Sequence, residues 1–597
     1  MQKFLDRLDE IASINQENTT AKWLERIAFV FLVLMVLSAP HSIAATQTAW
    51  LTGMFVWVIR LFVKPRPTLV RTPLDAALWA FFGWSVVSSL TSYAPDISFD
   101  KLRGVALFLI FYFVINNIRA KSAAVFLAFA LIFSCMFNVI WMPLERIIGR
   151  GVEIHGVKPE SPLTKVIYVE NNNEKIILKD DDTLLEVNKK KIRSPEDLLV
   201  ALENNETASV KFYRPRPDYY LTVQIKRADL LPGASALERL GFTDWKKSRN
   251  WRSMGFFGHW TTYGEVLQLI ASLTFGLFIA AFRKEERSED VETRRRADVE
   301  KGRRAQEEIS VENIEFKSKT EDQNQKNQKP KTENRKPEPA RPRVSAALVL
   351  LFFCLAAMAF ALVLNVTRAS QLGFLVSTVS IVLLTGNRKM LLITAAVILP
   401  AAIGALVFIQ QSRNVEFFDS KDESTRYRRI VYREGYDLWT ENARHFFLGV
   451  GMDSIKRYAK DWRLFDDGKL PMGHFHSTPL QLAVERGLPA LLLWLLILGV
   501  YARTLWRGLK VQSLKSKVQP QLEIQSSFEK QNAENENLKV SNWKEYGILL
   551  GCFGGLIGFF TSGLVHYNLG DAEVAMIFFL LMAISIYLCD SGFQISD

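Results

Sequence analysis

Between Arg413 and Gly487 the sequence gathers two residue types that suit chemistry on phosphate esters. Arg413, Arg426, Arg428, Arg429 and Arg433 come first, and His474 and His476 close the stretch in GHFHSTPLQLAVERGLP. A guanidinium offers a planar fork of donors that matches phosphate oxygens and keeps its charge at any working pH. A histidine beside it can take or give a proton near neutrality. Together they suit a phosphorylated, lipid-linked substrate, with arginines on the phosphate and an imidazole handling a proton. Arg426, Arg429 and Arg433 share one helical face at i, i+3, i+7, a pattern that equally fits a solvated or lipid-phosphate-facing surface. Apolar segments flank the stretch on both sides, so it is an extramembrane loop tied down at its ends.

A bundle of membrane spans must hold this loop. The chain has 597 residues, 49% of them hydrophobic, and these gather into blocks of roughly 17–25, long enough to cross about 30 Å of hydrocarbon. The blocks lie near 23–40, 45–63, 74–92, 103–118, 123–143, 262–282, 344–365, 370–386, 390–410, 479–505, 545–565 and 573–589, about twelve spans in all. The expected fold class is therefore an all-α polytopic membrane protein. The net charge of +12 lies between the blocks, where it reads as cytoplasmic bias and phosphate contact, and nucleic acid is not an expected partner. With a cytoplasmic N-terminus and a retained first span, Lys64, Arg66, Arg71, Arg119, Lys121, Arg388 and Lys389 fall inside. The same orientation puts all seven histidines on or near the outer side. The cysteines Cys135, Cys354, Cys552 and Cys589 lie in or beside apolar blocks without metal-ligand spacing, so neither disulfide nor metal is expected, and no cofactor.

Three inserts interrupt the bundle. Residues 284–343 and 510–540 are rich in Lys, Glu, Gln and Asn; they read as disordered, the second within a cytoplasmic insert at 507–543 and the first a cytoplasmic insert itself, because such composition cannot bury enough apolar surface to offset ordering entropy. Residues 148–227 alternate as strands at GVEIHGV, KIIL, TLLEVN, SVKFYR and LTVQI, and SPEDLLVALE reads as a helix capped by Ser194. The order of these elements resembles a PDZ domain of the bacterial protease type. That resemblance implies an α+β domain on the outer face with a peptide or protein ligand, its carboxylate loop at Gly149–Val152, although a structural spacer fits as well. Residues 228–283 then hold an outer segment and one span, and 412–478 form a large helical loop on the same side.

Four outward patches recur: NWRSMGFFGHWTTYGE at 250–265, NVTRASQL at 365–372, RRIVYREGYDLWTENARHFFLGVG, and HSTPLQLAVERGLPALLLWL. In this order, closing one large outer loop, they resemble the O-antigen ligase family with its relatives, the O-antigen polymerases and bacterial protein O-oligosaccharyltransferases. The resemblance covers about 250 to 590. It implies an undecaprenyl-diphosphate-linked glycan as donor and an acceptor hydroxyl on a glycolipid, a glycan or a protein. It also implies a multi-pass protein of the bacterial inner membrane, with the site facing the periplasm among membrane lipids. Neither a Gly-rich phosphate loop nor an Asp-x-Asp motif stands in the sequence, which weighs against nucleotide-sugar and metal-dependent chemistry.

The expected catalytic residues are His476 as base with Arg368 and Arg428 on the diphosphate. Arg368 matches TRASQL but could also snorkel to headgroups, and Arg428, four residues before Tyr432, fits the family's basic-to-aromatic spacing. Arg252, His259, Arg426, Arg429, Arg433 and His474 are expected to line the substrate, with His474 the fallback base, and Glu485 is expected to pair with Arg486 near the bilayer. Two readings of other classes remain. A lipid-linked glycan transporter would place charges deep within spans, and a PDZ-bearing scaffold gives no reason for the arginine-histidine pairing.

Overall fold

The computed structural model describes residues 2–168, 175–215, 219–249, 251–286, 345–386, 423–468, 473–526 and 542–589, with isolated positions at 293, 391–392, 396 and 404. Arg413, the insert at 287–344 apart from 293, and most of the block at 390–410 lie outside the described residues.

The first part of the chain is helical: α1 (Gln2–Ala12), α2 (Thr19–Ser38), α3 (Ile43–Arg60), α4 (Asp75–Leu90), α5 (Pro95–Val105), α6 (Leu109–Asn117) and α7 (Lys121–Ile148). Then come the inserted domain and α10 (Trp260–Glu286), α11 (Ala346–Asn365) and α12 (Arg368–Thr385). The expected span at 103–118 is not one helix: α5 ends at Val105, a 3-10 turn covers Ala106–Phe108, and α6 is only nine residues long. Among the described residues, seven helices are long and apolar enough to cross a membrane. They are α7, α10, α11, α12, α16 (Thr478–Ser526), α17 (Asn542–Gly563) and α18 (Ala572–Cys589). The protein is thus a multi-pass membrane protein. The count falls short of twelve partly because α4 and α6 are short, and α2 carries Lys22, Glu25 and Arg26 in its first turns.

Helix α16 runs on to Ser526, so the first part of the segment 510–540, expected to be disordered, is helical. Extending an existing helix avoids the nucleation cost, and KVQSLKSKV offers good helix formers.

Glycine and serine let the central helices approach closely. On α17, Gly547 and Gly551 lie against the backbone of Leu277 and Leu273 of α10, while Gly554 and Gly558 face Ser377 and Gly373 of α12. At one end of the bundle the Glu25 carboxylate is shared by Arg60 and Arg119, and Lys121 pairs with Glu545. The loops and turns holding His259, Arg368, His476 and His566 gather at the other end, as does the inserted domain.

That domain is α+β and longer than expected. Its strands are β1 (Arg150–His155), β2 (Val166–Tyr168), β3 (Lys175–Ile176), β4 (Thr183–Val187), β5 (Lys190–Lys191), β6 (Thr207–Arg214), β7 (Tyr219–Lys226) and β8 (Asp244–Ser248). They form one sheet in the order β3-β2-β7-β6-β4-β1-β8, with β5 on β4. Pairing of β8 with β1 carries the domain past residue 227 to Ser248. Helices α8 (Pro195–Glu203) and α9 (Ala236–Leu240) complete it. The Asp197 carboxylate accepts the N–H groups of Arg193 and Ser194 at the start of α8. Strand β1 is paired on both sides, so among the described residues an added peptide strand would find the sheet's edges at β3 and β8 and not along β1.

Candidate functional site

Helix α13 (Glu423–Thr440) lies over the mouth of α16. Its Tyr427, Arg428, Val431, Tyr432 and Gly435 are partly or fully buried, whereas Arg426, Arg429 and Arg433 are exposed. The expected common face of those three arginines is therefore present, and it points away from the histidines. Arg433 stands 3.8 Å from Asp437 on that surface. On the inner side Val431 packs with Val450, Phe465, Phe475 and Val484, and Gly435 meets the Phe475 ring so closely that a Cβ would lie 2.8 Å from it.

Helix α14 (Ala443–Leu448) follows, then α15 (Ser454–Tyr458). Two glycines explain how the loop locks onto α16. Gly487 breaks that helix at φ +73°, which frees the carbonyls of Val484 and Glu485 to accept the N–H groups of Val450 and Gly451 at 2.9 and 2.8 Å. A Cβ on Gly487 would lie 2.1 Å from the Phe447 carbonyl oxygen, and one on Gly449 2.3 Å from the Glu485 carbonyl carbon. Beneath, Arg486 lies 4.0 Å from Glu485, the expected pair.

The turn carrying the histidines is built from this base. Glu485 accepts from the Gln481 amide (2.9 Å) and the Asp453 N–H (2.8 Å), and Gln481 accepts from the Phe475 N–H (2.8 Å). With Phe475 buried, His474 and His476 emerge on either side of it, ring centroids 4.1 Å apart. The His476 N–H donates to Nδ1 of His474 at 3.3 Å. That leaves the neutral His474 ring with its proton on Nε2, so its lone-pair nitrogen is already engaged. His476 has φ +49°, a left-handed conformation that costs a non-glycine residue about 1–2 kcal/mol.

Two further elements enter. The turn between α17 and α18 brings His566, whose ring lies 6.4 Å from that of His476 and whose carbonyl accepts from the Thr478 hydroxyl (3.1 Å). His566 Nδ1 stands 3.9 Å from Glu265 on α10, and Nε2 stands 4.0 Å from Asp571. Glu265 is fully buried and accepts from Ser562 (2.6 Å) and Ser370 (3.4 Å); Thr262 donates to Asp571 at 3.1 Å. Arg368 opens α12 two residues before Ser370, so it belongs to the same corner. His259 stacks on Trp260 at 4.6 Å, and the Arg252 guanidinium lies 5.2 Å from the other ring of that pair, Trp260.

Burial sets the charge state. It holds His476 down to about 2 and His566 to about 3; the Arg428 charge, and any proton on the neighbouring His474 or His259, would add to both shifts. His474 is lowered to about 4, by burial first and then by Lys456, and His259 is lowered by burial alone. Burial pushes Asp571 up to about 7. At neutral pH the cluster is a set of uncharged imidazoles beside Arg428. Next to it opens a cavity of about 300 Å³. Lys101, Lys456, His474 and Arg486, together with the carboxylates Asp453, Glu485 and Asp571, line its polar part; Phe108, Trp494, Leu498 and Phe579 line its apolar part.

The arrangement can hold an anion and accept a proton, and its family assignment rests on sequence. Residues 353–495 match the family model Wzy_C: O-Antigen ligase. The chain carries an O-antigen ligase domain. That domain supports placing this multi-pass membrane protein among O-antigen ligase-superfamily enzymes; no curated protein matches it. The domain's match includes Arg368, the arginines of α13, His474, His476 and the Gly487 kink, and it leaves out Arg252, His259, Glu265, His566 and Asp571. The last three lie beside the O-antigen ligase histidines and were not expected there. Their signal was an ionisable residue at the start of a span, in TTYGEVL, and a His and an Asp in the short turn HYNLGD.

One group of potential metal ligands occurs among the described residues, Glu153, His155 and Asp181, and it lies in the inserted domain. Glu153 there is already paired with Lys246 at 3.0 Å.

Proposed function

We propose that the protein transfers a glycan from undecaprenyl diphosphate to an acceptor hydroxyl on the periplasmic face of a bacterial inner membrane. The observation that carries this reading is His476, held in a left-handed turn within the electrostatic reach of Arg428, beside a cavity that is polar at one part and apolar at another. A lipid-linked diphosphate has the same two-part character. Arg428 and Arg368 bind the diphosphate through charge-assisted hydrogen bonds.

In the transfer step the acceptor oxygen bonds to the anomeric carbon as the bond from that carbon to the diphosphate oxygen breaks. His476 takes the acceptor's proton, and the arginines stabilise the negative charge that grows on the departing diphosphate. A proton-free imidazole is the form a base requires. Its basicity, low in the empty site, rises when the anionic donor binds nearby, because an opposite charge favours the imidazolium.

The test is reconstitution in liposomes with a lipid-linked glycan and three candidate acceptors: a core glycolipid, a second lipid-linked glycan and a Ser/Thr-bearing protein. Product on the first supports a ligase, on the second a polymerase, on the third a protein O-oligosaccharyltransferase. Binding of the donor with no product on any acceptor, in an inserted protein, counts against the transferase reading and for a transporter.

A further inference from the structure

A second cavity, about 410 Å³, opens where α7 meets the inserted sheet. Arg150, Lys191, Arg193, Lys211 and Lys247 line it, against two carboxylates, Glu145 and Glu186. Five cations face two anions, so the cavity carries an excess of positive charge. Among the described residues none of the five lies within ion-pair distance of a carboxylate, in contrast to Lys246 and Arg239 of the same domain. Arg150 donates to the Tyr220 hydroxyl (2.6 Å) and lies over the Trp251 ring (4.4 Å), yet its Nε is buried without a hydrogen-bond partner. A buried donor in that state favours the arrival of an acceptor oxygen.

The other wall says what kind of anion. Trp141 and Ile148 line the cavity from α7, a membrane-crossing helix by length and composition. Around them Leu144, Ile147 and Ile148 are 46%, 68% and 57% exposed on the last turn of that helix. Large apolar side chains at the end of a span face lipid, and an aromatic such as Trp141 marks headgroup depth. The basic cavity therefore opens where headgroups lie. A free anion would gain only the charges, whereas a lipid would use both the charges and the apolar turn, and basic groups near an anionic surface add to that attraction.

We propose that this cavity binds the anionic, phosphate-bearing headgroup of a membrane lipid. Occupancy there would bear on the histidine cluster through an aromatic ladder: Tyr220 stacks on Trp260 (5.4 Å), and Trp260 stacks on His259 (4.6 Å). The inserted domain thus reads the membrane surface beside the site, and the inference holds whichever acceptor the enzyme uses.

The experiment uses the full chain in nanodiscs of phosphatidylcholine. Dihexanoyl phosphatidic acid, dihexanoyl phosphatidylcholine and inorganic phosphate are titrated separately against the native protein and K191E/R193E/K211E. Phosphatidic acid should bind saturably, and about tenfold or more weakly in the reversed variant, since each charge-assisted contact is worth that much. Its affinity should also fall with added salt. K191R/R193K/K211R should bind within about threefold of native, because the number of positive charges is kept and basic groups of either kind are drawn to an anionic headgroup. If the reversed variant fails to insert, K191Q/R193Q/K211Q takes its place with the same expectation. Equal binding of phosphatidic acid by native and charge-removed protein would overturn the proposal, as would equal binding of phosphatidylcholine. Inorganic phosphate binding as tightly as phosphatidic acid would overturn the lipid assignment.

Discussion

The Tyr432 hydroxyl donates to the carbonyl oxygen of His476 across 3.0 Å. This contact holds the backbone of a residue at φ +49°, and the same hydroxyl lies 3.3 Å from the Leu564 carbonyl, two residues before His566. One side chain of α13 thereby ties both histidine-bearing turns together. Tyr432→Phe should cost about 1 kcal/mol of stability and slow transfer through a misplaced imidazole. His476→Ala should be worse, by about 10²–10⁴-fold in single-turnover transfer, with donor affinity nearly unchanged. Should His476→Ala keep full transfer while His474→Ala loses it, the base moves by two residues. Retention by both would refute a histidine base.

The phosphate-holding arginines should behave differently from the base. Arg368→Ala and Arg428→Ala should weaken donor binding, by about 1.5–3 kcal/mol each, and slow transfer as well, since charge grows on the diphosphate in the transition state. Lysine at either position should rescue only in part, because an ammonium lacks the planar fork. Removing the exposed Arg426, Arg429 and Arg433 together should weaken donor capture at low salt, with little effect left at about 1 M, where screening length falls to about 3 Å. Donor affinity measured at two salt concentrations separates the two groups.

The difference between these arginines marks the limit of reading the sequence. Helical spacing placed Arg426, Arg429 and Arg433 on one face, and α13 has that face, but spacing alone does not say whether a face looks inward. That depends on Val431 and Phe475, which come together across the loop. His474 and His476 were legible because they stand in one contiguous motif at a span entrance. His566, Glu265 and Asp571 were not, because each is a lone polar residue on a different segment, assembled only by packing of α10, α17 and α18. Likewise DWKKS at 244–248 lacks the alternation of a strand, and only its pairing with β1 makes it one.

Glycines at the loop lock give a prediction with an internal control. Gly487→Ala would set a Cβ against the Phe447 backbone carbonyl at 2.1 Å, from a φ of +73°. Backbone cannot yield as a side-chain tip does, so the variant should lose about 2–4 kcal/mol from the combined clash and strained dihedral. Gly499, on the same helix, would have nothing within 4 Å of an added Cβ; alanine there should be neutral or stabilise by up to about 1 kcal/mol. Thermal melting of the two variants in detergent checks both signs, and equal melting would show that the lock does not hold the loop.

Transfer should survive chelator. Positive charge for the diphosphate is available from Arg428 and Arg368, and a guanidinium needs no metal to bind phosphate. If EDTA abolishes transfer and one divalent ion restores it, this mechanism fails. The same assay on Glu153→Gln/His155→Ala tells whether any partial metal effect arises in the inserted domain.

Acid should destabilise the protein, with a slope that two substitutions move in opposite directions. Burial holds His474, His476 and His566 at about 4, 2 and 3, and lowers His259. Unfolding returns them to about 6.5, so below that pH the unfolded chain binds protons that the folded chain does not. Their contribution is complete above about pH 6.5 and is lost as pH falls toward the folded values. Asp571 works the other way. Its folded value near 7 lies above the unfolded value of about 3.9, so its contribution is complete in acid and is lost as pH rises through about 7. Between about pH 6.5 and 4 the histidines outnumber it, and stability should fall with acid by about 1.4 kcal/mol per pH unit for each unmatched proton. His566→Gln removes one of the opposing protons and should flatten the slope, whereas Asp571→Asn removes the compensating carboxyl and should steepen it. Melting temperatures in detergent from pH 7.5 to 5 read both changes. A native profile that stays flat below pH 6.5 would mean that the imidazoles charge freely in the folded protein, and with that the proton-free base proposed for His476 would be lost.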